Sequence, residues 1–573
     1  MNSDCEIKSP ENLPEDVFAF PLSFAQQRLW FLDQLEPNRS VYNMPSAFRL
    51  EGRLDIPALE QSFNEIARRH EALRTTFSMI GEEAVQIISP SLVITTPVVD
   101  LSDLSESERQ NEARRLVHEE GLTPFDLSQG PLLRVRLVRL GEQDHVLLLT
   151  LHHIVSDGWS MGVLFRELSE LYRAYCAGKP SPLPELPIQY VDYVQWQRRW
   201  FQSEKPVAQL DYWRKQLDGA PRVLELPTDH PRPPIQIHKG AIASLLLSTN
   251  LSESLRSLGH EQNATLFMTL LAAFSVLLHR HSGENEIVVG TPIAGRNKSE
   301  IEGLIGIFLN HLVLRIDLLD NPSFRELLNR VRKMAIGAYD HNDLPFERLL
   351  EELHPERDLS RTPLFQVYFN MLELEDLSPD FPDITIEPMR TFEPDSKFDL
   401  TLYVRADKKT IRFDLVYNTS LFEGPRMAEM LKQLEHLLSQ IIENPESRIG
   451  QLSLVTTAAA AILPNPVSQQ NKDWHGAIHD RLAQHARTRP EQLAIVDSWG
   501  TWSYETLNSC SNQLSHYLRS GGIQSEDIVA IYGHRSAPLV CAVLGVLKAG
   551  AAFLIVKRMC PRIAWTSGGN VAM

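Results

Sequence analysis

Residues 144–175, DHVLLLTLHHIVSDGWSMGVLFRELSELYRAY, constrain the fold more than any other stretch of the chain. A run of β-forming residues reaches His152-His153, Asp157-Gly158 breaks it, and from Trp159 the apolar positions fall at helical spacing. A strand that passes through a turn into a helix belongs to a mixed α/β fold. Side chains alternate along a strand, so His153 is expected to share a face with Leu147, Leu149 and Leu151 while His152 points the other way. One imidazole then faces an apolar interior and the other does not. The helix N-terminus brings the backbone N–H groups of Gly158 and Trp159 near the ring, placed to receive developing negative charge. A neutral imidazole there can accept a proton from an incoming nucleophile near pH 7. Asp157 is expected to hold an arginine and so fix the loop.

Plainer readings compete with this one. A lone buried histidine is usually structural, although an adjacent pair followed by Asp-Gly at a strand end favours chemistry. A metal site would use His153 and Asp157 at i, i+4, a spacing that converges only on a helix. The preceding strand and Gly158 oppose that, and no third ligand is apparent, so no metal is expected. Gly290 and Gly295 have Walker-type spacing, but Arg296-Asn297 stands where Lys-Ser/Thr is required. Thr566-Ser567-Gly568-Gly569 is followed by no lysine, so no nucleotide site is expected in either place.

The same alternation extends along the chain. Helical spacing is expected at 56–69, 105–120, 264–280 and 324–339, and strands at 132–140, 145–153, 364–371 and 398–405. At about 150 residues per domain, 573 residues correspond to roughly four compact units. A polar lead-in covers 1–17. The Pro-rich stretch GKPSPLPELP marks a connector between an N-lobe at 18–180 and a C-lobe at 181–450. The Ala-, Pro- and Gln-rich segment 451–473 reads as a linker, and 474–573 as a further α/β piece. Subtracting 73 Asp+Glu from 56 Lys+Arg leaves −17, a field that repels phosphate backbones and disfavours nucleic acid and anionic membranes as partners. Five scattered cysteines have neither disulfide nor zinc spacing, which suits a reducing cytosol. The N-terminus has no signal-peptide pattern, and the longest apolar run, 264–278, is shorter than the roughly 20 residues of a membrane span. It is expected to be a buried core helix.

Several further stretches carry a family pattern: SFAQQRLWFL at 23–32, RHEALRTTF at 69–77, HHIVSDGWS at 152–160 and YVDYVQWQ at 190–197. IGIFLN at 305–310, DHNDLPFE at 340–347 and RDLSRTPL at 357–364 complete it. In this order they resemble the signature motifs of the condensation domains of non-ribosomal peptide synthetases, over about residues 18–450. The resemblance implies an α/β fold of two chloramphenicol-acetyltransferase-like lobes in a V, with a tunnel between them. It implies amide formation between a carrier-bound donor acyl or peptidyl thioester and the amine of a carrier-bound aminoacyl thioester. No cofactor is expected on this chain itself, since phosphopantetheine thioesters arrive on partner carrier domains, the donor carrier from another polypeptide. His153 matches the family's catalytic second histidine and Gly158 the residue whose N–H lies beside the reacting carbonyl. His152, Asp157 and Trp159 match supporting positions, with Asp157 expected to pair with Arg74 or Arg296. Ser23, Gln26, Arg28 and Asn310 are candidate tunnel residues.

The opening motif and the plain HHxxxDG resemble the subtype that joins two L-residues, with a lipid-accepting starter subtype as the variant. From His475 the chain resembles the N-terminal edge of an adenylation domain, in WSYETL at 502–507 and LKAGAAFL at 547–554. Its phosphate loop, aspartates and late lysine do not follow, so a truncated fragment without amino-acid activation is expected. The loss of acidic residues near Lys557 reads as a frameshift or a truncated gene. A cytoplasmic synthetase subunit is the reading these features favour. Other classes remain: a carrier-docking module without turnover, or another acyltransferase, either one using a free alcohol or amine acceptor or one of the membrane glycerolipid type, whose His-x4-Asp spacing His152 and Asp157 meet. Epimerisation on the same fold is a lesser variant.

Overall fold

Local signals set the element ends. Asp55 accepts a hydrogen bond from Ala58 N at 3.0 Å and Pro57 stands in the first turn. The helix Ile56–Arg69 therefore begins where its spacing predicts and buries Leu59, Phe63 and Ile66 on one face. Thr265 caps the helix Leu266–Ser282, and Gly283 ends it at φ 78°, in the left-handed region. This apolar helix lies in the core, as expected of the 264–278 run. Among the described residues no single helix is long and apolar enough to cross a membrane.

The computed structural model describes residues 18–35, 37, 39–355, 358–373, 378–389, 395–464, 476–497 and 500–556. The expected lead-in at 1–17, residues 465–473 of the expected linker and the tail from Lys557 lie outside the described residues. Two compact units divide the chain between Leu463 and Pro464.

Three sheets build the first unit. A five-stranded sheet runs Thr385–Pro388, Asn43–Glu51, Asp144–His152, Leu133–Gly141, Val98–Asp100. A six-stranded sheet runs Asn310–Asp317, Glu286–Ile293, Val367–Glu373, Leu400–Ala406, Ile411–Asn418, Gly240–Leu246. A small sheet joins Phe18–Pro21, Glu83–Ile88 and Thr75–Ile80. The strand Asp144–His152 is buried on both faces, which explains its near-continuous leucines. Leu147, Leu149 and Leu151 share a core with the helix Gly158–Cys176, and Val146 and Leu148 share one with the helix Glu106–Leu122.

The lobe boundary expected at 180/181 needs correction. The short strand Thr385–Pro388, from the second half, forms the edge of the five-stranded sheet, with Ile386 opposite Leu50. Phe381 and Ile384 pack into the first-half core, and the Phe381 ring lies 4.3 Å from that of Tyr172. Burying these side chains while pairing an open sheet edge favours the exchange. The segment 301–308 also joins a first-half core, beside Leu22, Ile154 and Val155. The expected linker start at 451 is likewise too early. Leu452 is buried, Ser453 exchanges two hydrogen bonds with the Gln440 side chain at 2.8 and 2.9 Å, and Arg280 donates to Leu452 O at 2.6 Å.

The second unit contains the helices Ile478–Thr488, Tyr504–Ser520 and Ala537–Ala549. Its strands pair as Leu493–Asp497 with Gly500–Ser503, and Ile528–Tyr532 parallel to Ala552–Val556. Ile528, Tyr532 and Leu554, on one face of the parallel pair, are exposed, the pattern of a sheet with an uncovered face.

Candidate active site

The central strand ends at His152, one residue earlier than expected, and His153 opens a short 3₁₀ turn, His153–Val155. This corrects the strand-face assignment of the two rings. His153 does not continue the Leu147–Leu149–Leu151 face, and His152 is the more deeply buried of the pair. The His152 ring meets the rings of Tyr42 and Phe125 edge-on at 6.4 and 6.0 Å. Its Nδ1 accepts from Ile154 N at 3.2 Å, which closes the turn. Burial pushes the His152 imidazole down to about 3, with the His153, Lys397 and Arg134 charges acting the same way.

The His153 backbone N–H donates to Tyr42 O at 2.8 Å, and its Nδ1 lies 2.9 Å from Ser156 O. A carbonyl only accepts, so Nδ1 carries the proton and Nε2 carries the lone pair. Burial first, and the Lys397 charge second, hold His153 well below the ordinary histidine value, while Asp157 opposes them. The ring is therefore a neutral acceptor at pH 7.

Asp157 caps the helix Gly158–Cys176 and joins the two halves of the unit. Its Oδ1 accepts from Ser160 N and Ser160 Oγ, both at 2.8 Å, and its Oδ2 from Phe308 N at 2.9 Å. Of the two arginines expected to pair with it, Arg296 does so at 3.2 Å. Arg296 also donates to Ser160 Oγ at 2.8 Å, to Ile301 O at 2.6 Å and to Leu304 O at 2.8 Å, and lies over the Phe308 ring. Arg74 is corrected: it pairs with Glu71 at 3.2 Å and with Ser89 O, because the 3₁₀ turn Glu71–Arg74 holds it locally. The Trp159 indole donates to Glu302 O at 2.9 Å, a tie across the same seam. At Gly158 an added Cβ would meet nothing within 4 Å, so open space borders the first helical residue.

The imidazoles border a cavity of about 1730 Å³. Arg28, Tyr42, His152 and His153 line it from the first half, and His311, Tyr368 and Lys397 from the second. A typical small-molecule site holds about 300–1,000 Å³, so this one has room for more than one small reactant. Of the candidate tunnel residues only Arg28 lines it, with Glu347 at 3.5 Å. Ser23 and Gln26 are corrected to structural roles. Each side chain bonds the other's backbone N–H, at 3.1 and 3.0 Å, at the start of the helix Phe24–Leu35, and Ser23 Oγ also accepts from Tyr190 at 2.9 Å. Asn310 is corrected in the same way, since its amide bonds Asn342 O and Leu344 O at 2.9 and 2.8 Å and accepts from Phe346 N.

Sequence reasoning missed Tyr42, His311, Tyr368 and Lys397. His311 Nδ1 lies 2.6 Å from the Tyr368 hydroxyl, and burial holds this imidazole well below its ordinary value. The available signal was an ionisable residue inside or beside an apolar strand, in NHLVLRID and SKFDLTLYV.

A lobed α/β fold with a histidine turn on a cavity lined from both halves is of the chloramphenicol-acetyltransferase-like class. Residues 19–463 match the family described as condensation domain, and residues 482–563 match the family described as AMP-binding enzyme. The chain belongs to the condensation-domain family, with a short AMP-binding segment after it. One of the linear gramicidin synthase proteins of Brevibacillus parabrevis is 45% identical over 541 residues, 93% of this chain and 7% of that protein. Phosphinothricin tripeptide synthetase PhsC of Streptomyces viridochromogenes is 40% identical over 94% of this chain and 50% of its own length. The chain thus spans a tenth or less to about half of these relatives. Among solved structures, a four-domain nonribosomal peptide synthetase bound to AMP and glycine gives a TM-score of 0.71 at 25% identity, over 96% of this chain and 43% of the other. The X-domain from teicoplanin biosynthesis gives 0.70 at 29% identity, over 78% and 98%.

Proposed function

We propose that the first unit forms amide bonds between two carrier-bound thioesters, with His153 at the reacting amine. The observation that carries this reading is the His153 tautomer. Nδ1–H is spent on Ser156 O, which leaves the Nε2 lone pair for an amine N–H at the cavity. A thioester is already activated, so the site need only align an amine with it and manage one proton and one oxyanion. Alignment of two reactants supplies about 7–11 kcal/mol. A neutral imidazole whose basicity burial has lowered orients the amine through a hydrogen bond and takes its proton only as the new C–N bond forms. The departing pantetheine thiolate then recovers that proton. The first helical N–H groups, at Gly158 and Trp159, face the developing oxyanion in this scheme.

The chain's family and its relatives among peptide synthetases support carrier domains as the partners, with phosphopantetheine arms bringing both substrates. The likeness of the opening motif supports joining of two L-residues. Cysteines without disulfide spacing support a cytoplasmic workplace. The test loads one carrier with a donor acyl group and a second with an aminoacyl group, adds the chain, and weighs both carriers. A gain of the donor acyl mass on the aminoacyl carrier is expected. Transfer only to a free alcohol or amine, or no transfer, overturns the reading.

Gly158→Ala separates packing from chemistry. Because its Cβ meets no protein atom within 4 Å, urea unfolding is expected to change by less than about 0.5 kcal/mol. The methyl enters the space assigned to the thioester carbonyl, so the rate of transfer is expected to fall by about tenfold or more, as misplacement of a reacting group costs. An unchanged rate contradicts the placement of the carbonyl there.

A further inference from the structure

Lys397 brings a cation to the histidine pair from the opposite lobe. It precedes the strand Leu400–Ala406 and lines the cavity. Among the described residues its ammonium forms no ion pair and lies 4.8 Å over the Tyr42 ring centroid. The same Tyr42 ring lies 6.4 Å from the His152 ring, and the Tyr42 carbonyl accepts the His153 N–H at 2.8 Å. The charge thus lies over the residue whose ring meets the His152 imidazole and whose carbonyl holds the His153 main chain, and it lines the same cavity as both imidazoles.

On the reading that an amine approaches His153 Nε2, we propose that Lys397 is a positioning residue that delivers this amine as its free base. An ammonium beside the site opposes a second positive charge, so the reactive, unprotonated amine is the form that binds. A protonated amine has no lone pair and cannot attack, so the selection acts directly on the productive fraction of substrate.

The groups facing Lys397 set its charge. Arg28, on the helix Phe24–Leu35, repels it, and Asp395 attracts it. Glu347 is held by Arg28 at 3.5 Å, and Asp395 is itself raised by burial and shared with His238 and Arg39. His152, His153 and His311 are all held neutral at pH 7, and burial raises the Tyr368 and Tyr403 hydroxyls, so none of these adds charge. Burial pushes Lys397 down to about 8, which leaves it mostly charged at neutral pH.

The experiment is the pH–rate profile of transfer between loaded carriers for the wild type, Lys397→Met and Lys397→Arg. Removing the cation raises the ionisation pH of the bound amine, so the alkaline-rising limb of Lys397→Met is expected to move upward by about one pH unit. Well below that limb its rate falls about tenfold, because one unit is tenfold in the free-base fraction. Lys397→Arg keeps the charge and is expected to keep the limb. A slower Lys397→Met enzyme with an unmoved limb would mean a merely structural lysine and overturns the proposal. A second readout needs no turnover: His153 titration followed by NMR in the full chain moves upward in Lys397→Met, and an unmoved titration overturns the proposal. Should Lys397→Met not fold, Lys397→Gln is read by the same criteria. If the wild type forms no amide at all, the functional reading fails while the NMR arm still decides whether Lys397 sets the field at His153.

Discussion

Replacing His153 by alanine lowers amide formation by about 10²–10⁴-fold, the range that a positioned proton acceptor contributes. Carrier binding is expected to survive, while loss of the Nδ1–H bond to Ser156 O lowers stability by about 1–3 kcal/mol. His153 is half-buried at the cavity rather than in a core, and its main-chain bond to Tyr42 O survives the substitution. Binding of the loaded carriers, followed by fluorescence anisotropy, is therefore expected to stay within about twofold of wild type, as for a substitution away from the docking surface. Truncation of His152 reaches into packing as well. Its ring fills space between Tyr42 and Phe125, and its Nδ1 holds the turn, so stability falls together with activity. A His153→Ala chain that retains wild-type turnover would remove the imidazole from the mechanism.

Asp157→Ala carries the largest expected stability effect. Asp157 and Arg296 are buried together, with side-chain exposures of 2% and 1%, so removing the carboxylate strands a buried guanidinium. Breaking such a pair from one side costs about 3–5 kcal/mol. Ser160 N and Phe308 N also lose their acceptor. The seam that holds segment 301–308 against the histidine turn loosens, and activity falls with it. Asp157→Asn keeps an acceptor but not the charge, and is expected to lose less. Urea denaturation at pH 7 measures both, and a change below about 1 kcal/mol for the alanine variant would contradict the pairing's role, since that is the level of a surface ion pair.

These effects show which parts of the molecule were legible in advance. The helix Ile56–Arg69 was legible because its cap, its first-turn proline and its apolar stripe agree. The histidine turn and the Asp157–arginine pairing followed from a strand that ends in His-His and a helix that opens on Asp-Gly. The strand's last residue differs by one: the bond from His153 N to Tyr42 O continues the register of His152 with Asn43, but a 3₁₀ turn, closed by Ser156 N to His153 O and Ile154 N to His152 Nδ1, takes over at His153. The strand Thr385–Pro388 was invisible because four residues carry little periodicity, and their partner lies in the other half of the chain. Ser23, Gln26 and Asn310 carry polar side chains that satisfy backbone groups, a use that sequence cannot separate from substrate contact. Lys397 and His311 reach the cavity only through the packing of one half against the other.

A structure of the chain bound to a stable aminoacyl-pantetheine analogue, its thioester replaced by an amide, tests the account most directly. The amine nitrogen is expected within about 2.6–3.2 Å of His153 Nε2, the reach of a proton acceptor. An analogue seated in the cavity with its amine turned away from that nitrogen, or one that binds only outside the cavity, would contradict it.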